Sequence, residues 1–312
     1  MRTTVVRSAI ALVAATAALT ACGSGTGATG TGPLAGATFT IGAKDFSEQN
    51  ILAEMTAAVL RANGASAEAK EIKGSVNTRK ALEAGEVDLY WEYTGTAWIT
   101  YLKNAKPVGD PKGQYDAVAK QDGEQNGIAW LANAGFNNTY ALAVRNEKAG
   151  RLKVKSLSDL AGLAKSDPSA VTVCVESEFA AREDGLPGLL KAYGVDIPQD
   201  NIKLLDTGVI YTETAKGESC TFGEVFATDG RISSLGLTVL DDDKQFFPVY
   251  QGAPTLKKST LDKYPAIKDI LAPLSRKLTT EVMRGLNAKA DVDGEAFKDI
   301  AQNWLRQEGL LS

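Results

Sequence analysis

Histidine is absent from the 312 residues of the chain. This excludes a Ser-His-Asp triad, a Cys-His pair and a zinc site with imidazole ligands. A hydrolase is therefore not favoured. The sequence also lacks the G-x-x-x-x-G-K-[ST] pattern of a nucleotide-binding loop. Its 34 basic and 38 acidic side chains give a formal net charge of −4. Nucleic acid is not an expected partner, because phosphate contacts need a basic surface.

Long hydrophobic runs are scarce, and the clearest is 9-AIALVAATAAL-19 near the N-terminus. It is too short for a permanent transmembrane helix and follows two arginines, as in a secretory signal peptide. The run ends in 19-LTAC-22, which looks like a bacterial lipobox. We predict a lipoprotein signal peptide over residues 1–21 and a lipid on Cys22, with an ordinary signal peptide as the alternative. Residues 22–36, rich in glycine and threonine, are expected to form a flexible tether.

Cysteine is scarce as well. Apart from Cys22, the chain contains only Cys174 and Cys220. Outside the cytoplasm such a pair usually forms a disulfide, whereas two buried free thiols are the alternative interpretation. The bridge closes a loop of roughly 46 residues, which corresponds to about 4 kcal/mol of stabilisation in the chain-entropy model.

From Thr38 onwards the sequence alternates between strand and helix patterns. The segment 38-TFTIGA-43 reads as a strand, and residues 45–64 have the apolar periodicity of a helix with Asp45 as its N-cap. A short helix at 77–85, capped by Asn77, precedes a strand at 86–93. Further strands are expected at 67–72, 139–145, 171–176, 201–206 and 224–230, and further helices at 185–194, 267–278 and 295–309.

This alternation favours an α/β fold in which helices cover parallel sheets. We predict two lobes, one made of residues 37–142 together with 247–312 and the other of residues 143–246. In open α/β sheets, ligands bind beyond the carboxyl ends of the strands, so the strand-to-helix junctions are the places to search for a site.

Several of these junctions combine aromatic rings with groups that can hold an anion. Lys44 precedes a helix, the turn 93-YTGT-96 follows a strand, and Arg182 could grip a carboxylate bidentately. Each feature alone also fits core packing or solvated charge. Together they suit a small zwitterion, because aromatic faces bind quaternary ammonium groups and the basic groups bind its carboxylate.

The chain closely resembles the substrate-binding proteins of osmoprotectant ABC importers, the ProX/OpuC type, which bind glycine betaine, choline or carnitine. The resemblance runs from about Thr38 to the C-terminus. It rests on four motifs in the same order: 41-IGAKDFSEQ-49, 87-VDLYWEYTGT-96, 224-EVFATDGRI-232 and 247-FPVYQGAP-254. It implies a two-lobed fold of the type II periplasmic-binding-protein kind, in which two crossing segments join lobes that close on the ligand.

The resemblance also implies a set of site residues. An aromatic cage around the cation is expected from Tyr93, Tyr140, Phe226 and Tyr250. The acid end of the ligand is expected to meet Lys44, Thr96 and Arg182. Two positions depart from the family pattern: Phe226 stands where tyrosine is frequent, and Asn138 stands where an acidic residue is frequent. These departures support a quaternary amine or betaine more strongly than glycine betaine itself.

The function implied is that of a lipid-anchored, extracytoplasmic solute-binding protein that delivers its ligand to a membrane permease driven by a cytoplasmic ATPase. Another betaine such as ergothioneine is an alternative ligand, and a sensory role for the same clamp is an alternative function. A secreted enzyme using carboxylate pairs such as Glu176/Glu178 or Glu183/Asp184 is the rival class, and we do not favour it. No cofactor and no metal are expected, and a monomer is the default for this class.

Overall fold

Two five-stranded sheets organise the molecule. The computed structural model describes residues 31–311 apart from positions 105, 107 and 109. The first sheet contains β1 Thr38–Lys44, β2 Ser66–Ile72, β3 Leu89–Tyr93, β4 Ile128–Trp130 and β10 Gly252–Lys257. The second contains β5 Tyr140–Arg145, β6 Val173–Val175, β7 Ile202–Leu204, β8 Phe222–Phe226 and β9 Leu237–Val239. We call the parts built on these sheets the first and second lobes.

The two sheets share one topology. Their strand orders are β2-β1-β3-β10-β4 and β7-β6-β8-β5-β9. In each, three parallel strands are followed by one antiparallel strand, β10 or β5, which enters from the other lobe. The predicted α/β class with parallel strands is confirmed. The antiparallel strand β10, which pairs with both β3 and β4, was not foreseen.

Helices cover the sheets and fill the C-terminal part of the chain. In the first lobe they are α1 Ser47–Ala62, α2 Ser75–Ala84, α3 Thr94–Thr96 and α4 Pro111–Gln125, and a π-helical turn at Ala97–Tyr101 continues α3. The second lobe has α5 Asn146–Leu152, α6 Leu157–Ser166, α7 Ser177–Ala181, α8 Leu186–Tyr193, α9 Thr207–Lys216 and α10 Arg231–Ser234. The last four are α11 Lys258–Lys263, α12 Ala266–Lys277, α13 Thr280–Asp291 and α14 Phe297–Gln307. None of the helices in the described residues is both long and apolar enough to cross a membrane.

The chain passes between the lobes twice, over residues 131–139 and 240–251. The two crossing segments are joined by an antiparallel bridge between Asn137 and Gln251. The lobe boundary expected between residues 142 and 143 lies inside β5, all of which pairs in the second sheet. The first crossing therefore ends before Tyr140, because the whole strand is needed to complete that sheet.

The N-terminal predictions fall mostly outside the described residues. These include the signal peptide at 1–21 and the lipidation of Cys22. The tether predicted over 22–36 needs correction at its end, since Leu34 is only 1% exposed and its N–H donates to the Asn63 carbonyl. Leu34 is the one large aliphatic side chain of that segment, and the core of the first lobe takes it up.

Helix α1 is capped differently from the prediction. It begins at Ser47 after Phe46, with no side-chain cap. The Asp45 carboxylate instead accepts from the Gly74 N–H across the junction at 2.8 Å, and Glu48 is buried and bonded to distant partners. Asn77 likewise lies inside α2 rather than at its N-cap. At α1, tertiary hydrogen bonds of Asp45 and Glu48 displaced the predicted capping box, whereas the Asn77 side chain bonds locally to the Lys73 carbonyl.

The aromatic cluster 90-YWEY-93 divides between the two faces of the first sheet. Trp91 packs beneath α1, where its indole N–H donates to Thr56 at 2.9 Å. Tyr90 belongs to a separate core cluster on the opposite face, as the alternation of a strand requires. Tyr93 is the last residue of the strand, so of the three aromatics it is the one at the carboxyl end.

Cys174 and Cys220 form a disulfide with their Cα atoms 5.7 Å apart, which confirms that prediction. The bridge ties β6 to the segment that enters β8. Both sulfur atoms are buried against Ile210 of α9 and the half-buried Leu205. The covalent bond therefore lies within the second lobe and braces two adjacent parallel strands.

Candidate functional site

A cavity of about 570 Å³ opens between the two lobes, and we call it the cleft cavity. Its first-lobe wall comes from the ends of β1 and β3 and the N-terminus of α2. Its second-lobe wall comes from the ends of β6 and β8, the start of β5 and the N-terminus of α9. Seven of the eight predicted site residues line it: Lys44, Tyr93, Thr96, Asn138, Tyr140, Phe226 and Tyr250. The eighth, Arg182, lies behind the wall.

Sheet register explains why residues far apart in sequence meet here. Lys44, Tyr93 and Phe226 are the last residues of β1, β3 and β8. The antiparallel strands begin where the parallel ones end, so Tyr140, the first residue of β5, pairs directly with Phe226. In the first lobe, Gly252 pairs with Tyr93, which places Tyr250 just beyond the same edge.

Aromatic rings form a continuous series along the cavity wall. Centroid separations are 6.3 Å from Tyr93 to Phe46, 5.3 Å from Phe46 to Phe226 and 5.3 Å from Phe226 to Tyr140. Tyr140 then meets Tyr250 at 5.4 Å with the ring planes 85° apart. Phe46 was not predicted as a site residue. The feature of the sequence that pointed to Phe46 was its position directly after Lys44 and Asp45, at the first strand-to-helix junction.

The 93-YTGT-96 turn holds Tyr250 in place. A Cβ on Gly95 would lie 2.8 Å from the Tyr250 ring and 3.0 Å from the Val249 carbonyl oxygen. The Thr94 hydroxyl donates to that carbonyl at 2.8 Å. Because φ at Gly95 is not positive, backbone conformation does not require a glycine here. The glycine is needed because it packs closely against the second crossing segment.

Lys44 is buried and already paired. It is 2% exposed, donates to the fully buried Glu92 at 2.6 Å and lies 4.9 Å from the centre of the Tyr93 ring. Glu92 also accepts from the hydroxyls of Tyr90 and Tyr101. Glu92 was not predicted as a site residue, although it is a lone carboxylate within the aromatic stretch 90-YWEY-93.

Arg182 is also engaged by carboxylates of its own chain. Its Nε and Nη2 donate to the two oxygens of Asp184 at 2.8 and 2.5 Å, and Nη1 donates to Glu178 at 2.8 Å. The Tyr250 hydroxyl donates to the same Asp184 at 2.6 Å. The bidentate edge predicted to grip a ligand carboxylate is thus occupied by Asp184, and this ion pair supports the Tyr250 ring from behind.

Asn138 belongs to a buried network centred on Glu48. The Glu48 carboxylate accepts from Tyr93 at 2.8 Å, Asn138 at 2.9 Å, Thr228 at 2.6 Å and Asn287 at 3.1 Å. Burial raises the pKa of Glu48, although the Thr228 hydroxyl and the other donors act in the opposite direction. A carboxyl group from the first lobe therefore joins the first crossing segment to the second lobe just beneath the cleft cavity.

The comparison with known proteins agrees with this geometry. Residues 37–307 match the family described as the substrate binding domain of the ABC-type glycine betaine transport system. The chain belongs to this family. It is 35% identical over 279 residues to the glycine-betaine-binding protein of Pseudomonas aeruginosa, covering 88% of this chain and 89% of that protein.

Two further proteins are similar to this chain. It is 34% identical to the ergothioneine transport permease/ergothioneine binding protein EgtU of Helicobacter pylori, over 86% of this chain but 47% of that longer protein. It also superposes on the crystal structure of a glycine betaine/carnitine/choline ABC transporter protein with a TM-score of 0.70 and 27% identity, covering 88% of this chain and 100% of that one. The expected two-lobed fold is confirmed.

The matched family consists of substrate-binding components of transport systems rather than enzymes. The carboxylate pairs that suggested acid–base chemistry have other uses here. Glu178 and Asp184 are both ion-paired to Arg182, and the Glu176 side chain accepts from the Glu178 N–H at the start of α7. Within the described part of the chain, no group of three or more potential metal-ligating side chains is assembled.

Proposed function

We propose that this protein captures a small quaternary amine or betaine in the cleft cavity, with the ammonium group against the aromatic series. The observation that carries the proposal is that rings from both lobes and from the second crossing segment meet at one cavity: Phe46, Tyr93, Tyr140, Phe226 and Tyr250. A quaternary ammonium group cannot donate a hydrogen bond, and aromatic faces are the surfaces that attract it. Phe226 lacks the hydroxyl of a tyrosine but keeps the aromatic face that attracts the cation.

The bound ligand is then delivered to a membrane permease that a cytoplasmic ATPase drives, as in the family to which the chain belongs. Lipid on Cys22 would anchor the protein at the outer face of the bacterial cell membrane, because two or more acyl chains hold a protein stably to a bilayer. Lys44 and Thr96 are the residues beside the rings that can meet a polar group at the other end of the ligand. Ergothioneine is a second candidate, supported by the similarity to the Helicobacter pylori protein.

Isothermal titration calorimetry with choline, glycine betaine, carnitine and ergothioneine tests the proposal. Several cation–π contacts of about 1–2 kcal/mol each in a desolvated site should give micromolar affinity, or roughly −8 kcal/mol, for at least one of them. A rise in melting temperature with the same ligand should accompany binding, since the ligand stabilises only the folded state. The proposal fails if none binds below millimolar concentration while a sugar or a peptide does.

Substitutions at Tyr140 test the role of the aromatic ring separately from that of the hydroxyl. Replacing Tyr140 with Ala should weaken binding by about 5- to 30-fold, which corresponds to one lost cation–π contact of about 1–2 kcal/mol. Tyr140→Phe should bind nearly as well as the wild type, because its hydroxyl has no hydrogen-bond partner among the described residues. Tyr93→Phe is a poorer control, since its hydroxyl donates to the buried Glu48. Equal losses in Tyr140→Ala and Tyr140→Phe, measured by calorimetry, would contradict a role for the ring face.

A further inference from the structure

The groups expected to bind a ligand carboxylate are already matched by carboxylates of the protein. Glu92 pairs with Lys44 at 2.6 Å, and Asp184 occupies the bidentate edge of Arg182. Glu178 takes a further Arg182 N–H at 2.8 Å. A buried ion pair with satisfied partners has little remaining field to offer a second anion. The acid end of the predicted site is therefore close to neutral.

The N-terminus of α2 faces the cleft cavity, and its first two N–H groups are matched in the same way. Such a helix end attracts anions through its free N–H groups. Here the Gly74 N–H donates to Asp45 at 2.8 Å and the Ser75 N–H donates to Glu178 at 2.9 Å. Glu178 belongs to the second lobe and α2 to the first, so this contact places a carboxylate across the cleft at the point where a ligand anion would otherwise bind.

The charges on the cavity wall have a negative balance. Four carboxylates line it, from Asp45, Glu176, Glu178 and Asp206, against the two lysines Lys44 and Lys73. Lys73, Asp45 and Asp206 are all exposed to solvent, which screens their charges. The balance therefore rests on the half-buried Glu176 and Glu178 against the buried Lys44, whose charge is already paired with Glu92. Burial alone would raise the pKa of Glu178, but the Arg182 and Lys44 charges and the Ser75 N–H outweigh it and leave the pKa below its usual value. Glu178 is therefore ionised at neutral pH.

From this arrangement we infer that the cleft cavity selects a quaternary ammonium ligand with a neutral, hydroxyl-type tail over a zwitterion, and that Glu178 is the residue that discriminates between them. The inference rests on the proposed function and narrows its ligand class. A ligand carboxylate in the closed cleft would lie near the Glu178 carboxylate and compete with it for the same N–H donors. A net cation meets no such repulsion and gains from the negative wall.

Calorimetry with three probes of similar shape tests the inference: choline, glycine betaine and 3,3-dimethylbutan-1-ol, the uncharged analogue of choline. We expect choline to bind at least about tenfold more tightly than glycine betaine, because juxtaposed like charges cost more than the 1.4 kcal/mol that tenfold represents. The uncharged alcohol should bind more weakly than choline. Tighter binding of glycine betaine than of choline overturns the inference and leaves the proposed function intact. If neither quaternary amine binds, the proposed function itself fails.

The Glu178→Gln variant tests the residue assignment. It keeps the side-chain size and one oxygen for the Ser75 N–H, so the preference for choline over glycine betaine should shrink by about threefold or more as one like charge is removed. Glu183→Gln is the matched control, since Glu183 is an exposed carboxylate of the same segment outside the cavity lining. Its choline preference should equal that of the wild type. If Glu178→Gln, shown to be folded by its melting transition, weakens both ligands by the same factor, Glu178 is structural only and the assignment is wrong.

Discussion

The Arg182→Ala variant is expected to lose about 3–5 kcal/mol of its free energy of unfolding, the usual result of removing one partner from a buried ion pair. Arg182 and Asp184 are 7% and 4% exposed. Without the guanidinium, the Asp184 carboxylate keeps only the Tyr250 hydroxyl among the side-chain donors of the described residues, and Glu178 loses its own ion pair. Equilibrium denaturation with urea, in the absence of ligand, measures this loss.

Arg145→Ala is the matched control. Arg145 forms an exposed pair with Glu147, with side chains 40% and 66% exposed, and pairs of this kind contribute about 0–1 kcal/mol. The double variant Arg182→Ala/Asp184→Ala should lose less stability than the two single variants added together, because each single change already breaks the shared interaction. An Arg182→Ala protein with unchanged stability but impaired binding of carboxylate-bearing ligands only would restore the direct ligand role that the sequence suggested.

Lys44 illustrates which features of the site can be predicted from the sequence and which cannot. A strand end is largely a local property, so the alternation of apolar residues was enough to place Lys44 and Tyr93 at or near the ends of strands. Phe226 fell inside the strand predicted over 224–230, whereas it is the last residue of β8. The hydrogen-bond and ion-pair partners of a buried side chain, by contrast, can come from any part of the chain. Nothing near Lys44 in sequence indicates that Glu92, 48 residues away, takes its charge.

The same limit applies to the architecture. The parallel strands were predictable because each is followed by its own helix. Strand β10 returns from the other lobe to pair with β3 about 160 residues earlier, and a non-local pairing of this kind leaves no periodic signal. Asp45 is a further example: the local pattern favours a capping box, but the Gly74 N–H of a neighbouring junction competes for the carboxylate and prevails. Phe46 was missed for a related reason, since its place beside Phe226 depends on the approach of two lobes.

The second large expected effect is that the Cys174→Ser/Cys220→Ser protein should lose about 4 kcal/mol of unfolding free energy, the loop-entropy value for a sequence separation of 46 residues. The double variant is used so that no lone thiol remains to form mixed disulfides. Because both cysteines lie in the second lobe, the loss should be confined there.

Hydrogen exchange under native conditions measures the protection of backbone amides in each lobe separately, and so tests whether the loss of stability is confined to the second lobe. Amides of β6 and β8 should lose protection in the double variant, while those of β1 and β3 should keep the protection of the wild type, because stability differs between cooperative units of one molecule. β6 leads into Glu176 and Glu178, and β8 ends at Phe226, so the second-lobe wall of the cleft cavity depends on these strands. Below the melting temperature of that lobe, ligand affinity should be unchanged, since the bridge acts mainly on the unfolded state. Uniform loss of protection across both sheets would instead show that the lobes unfold as one unit, with the disulfide stabilising the whole molecule.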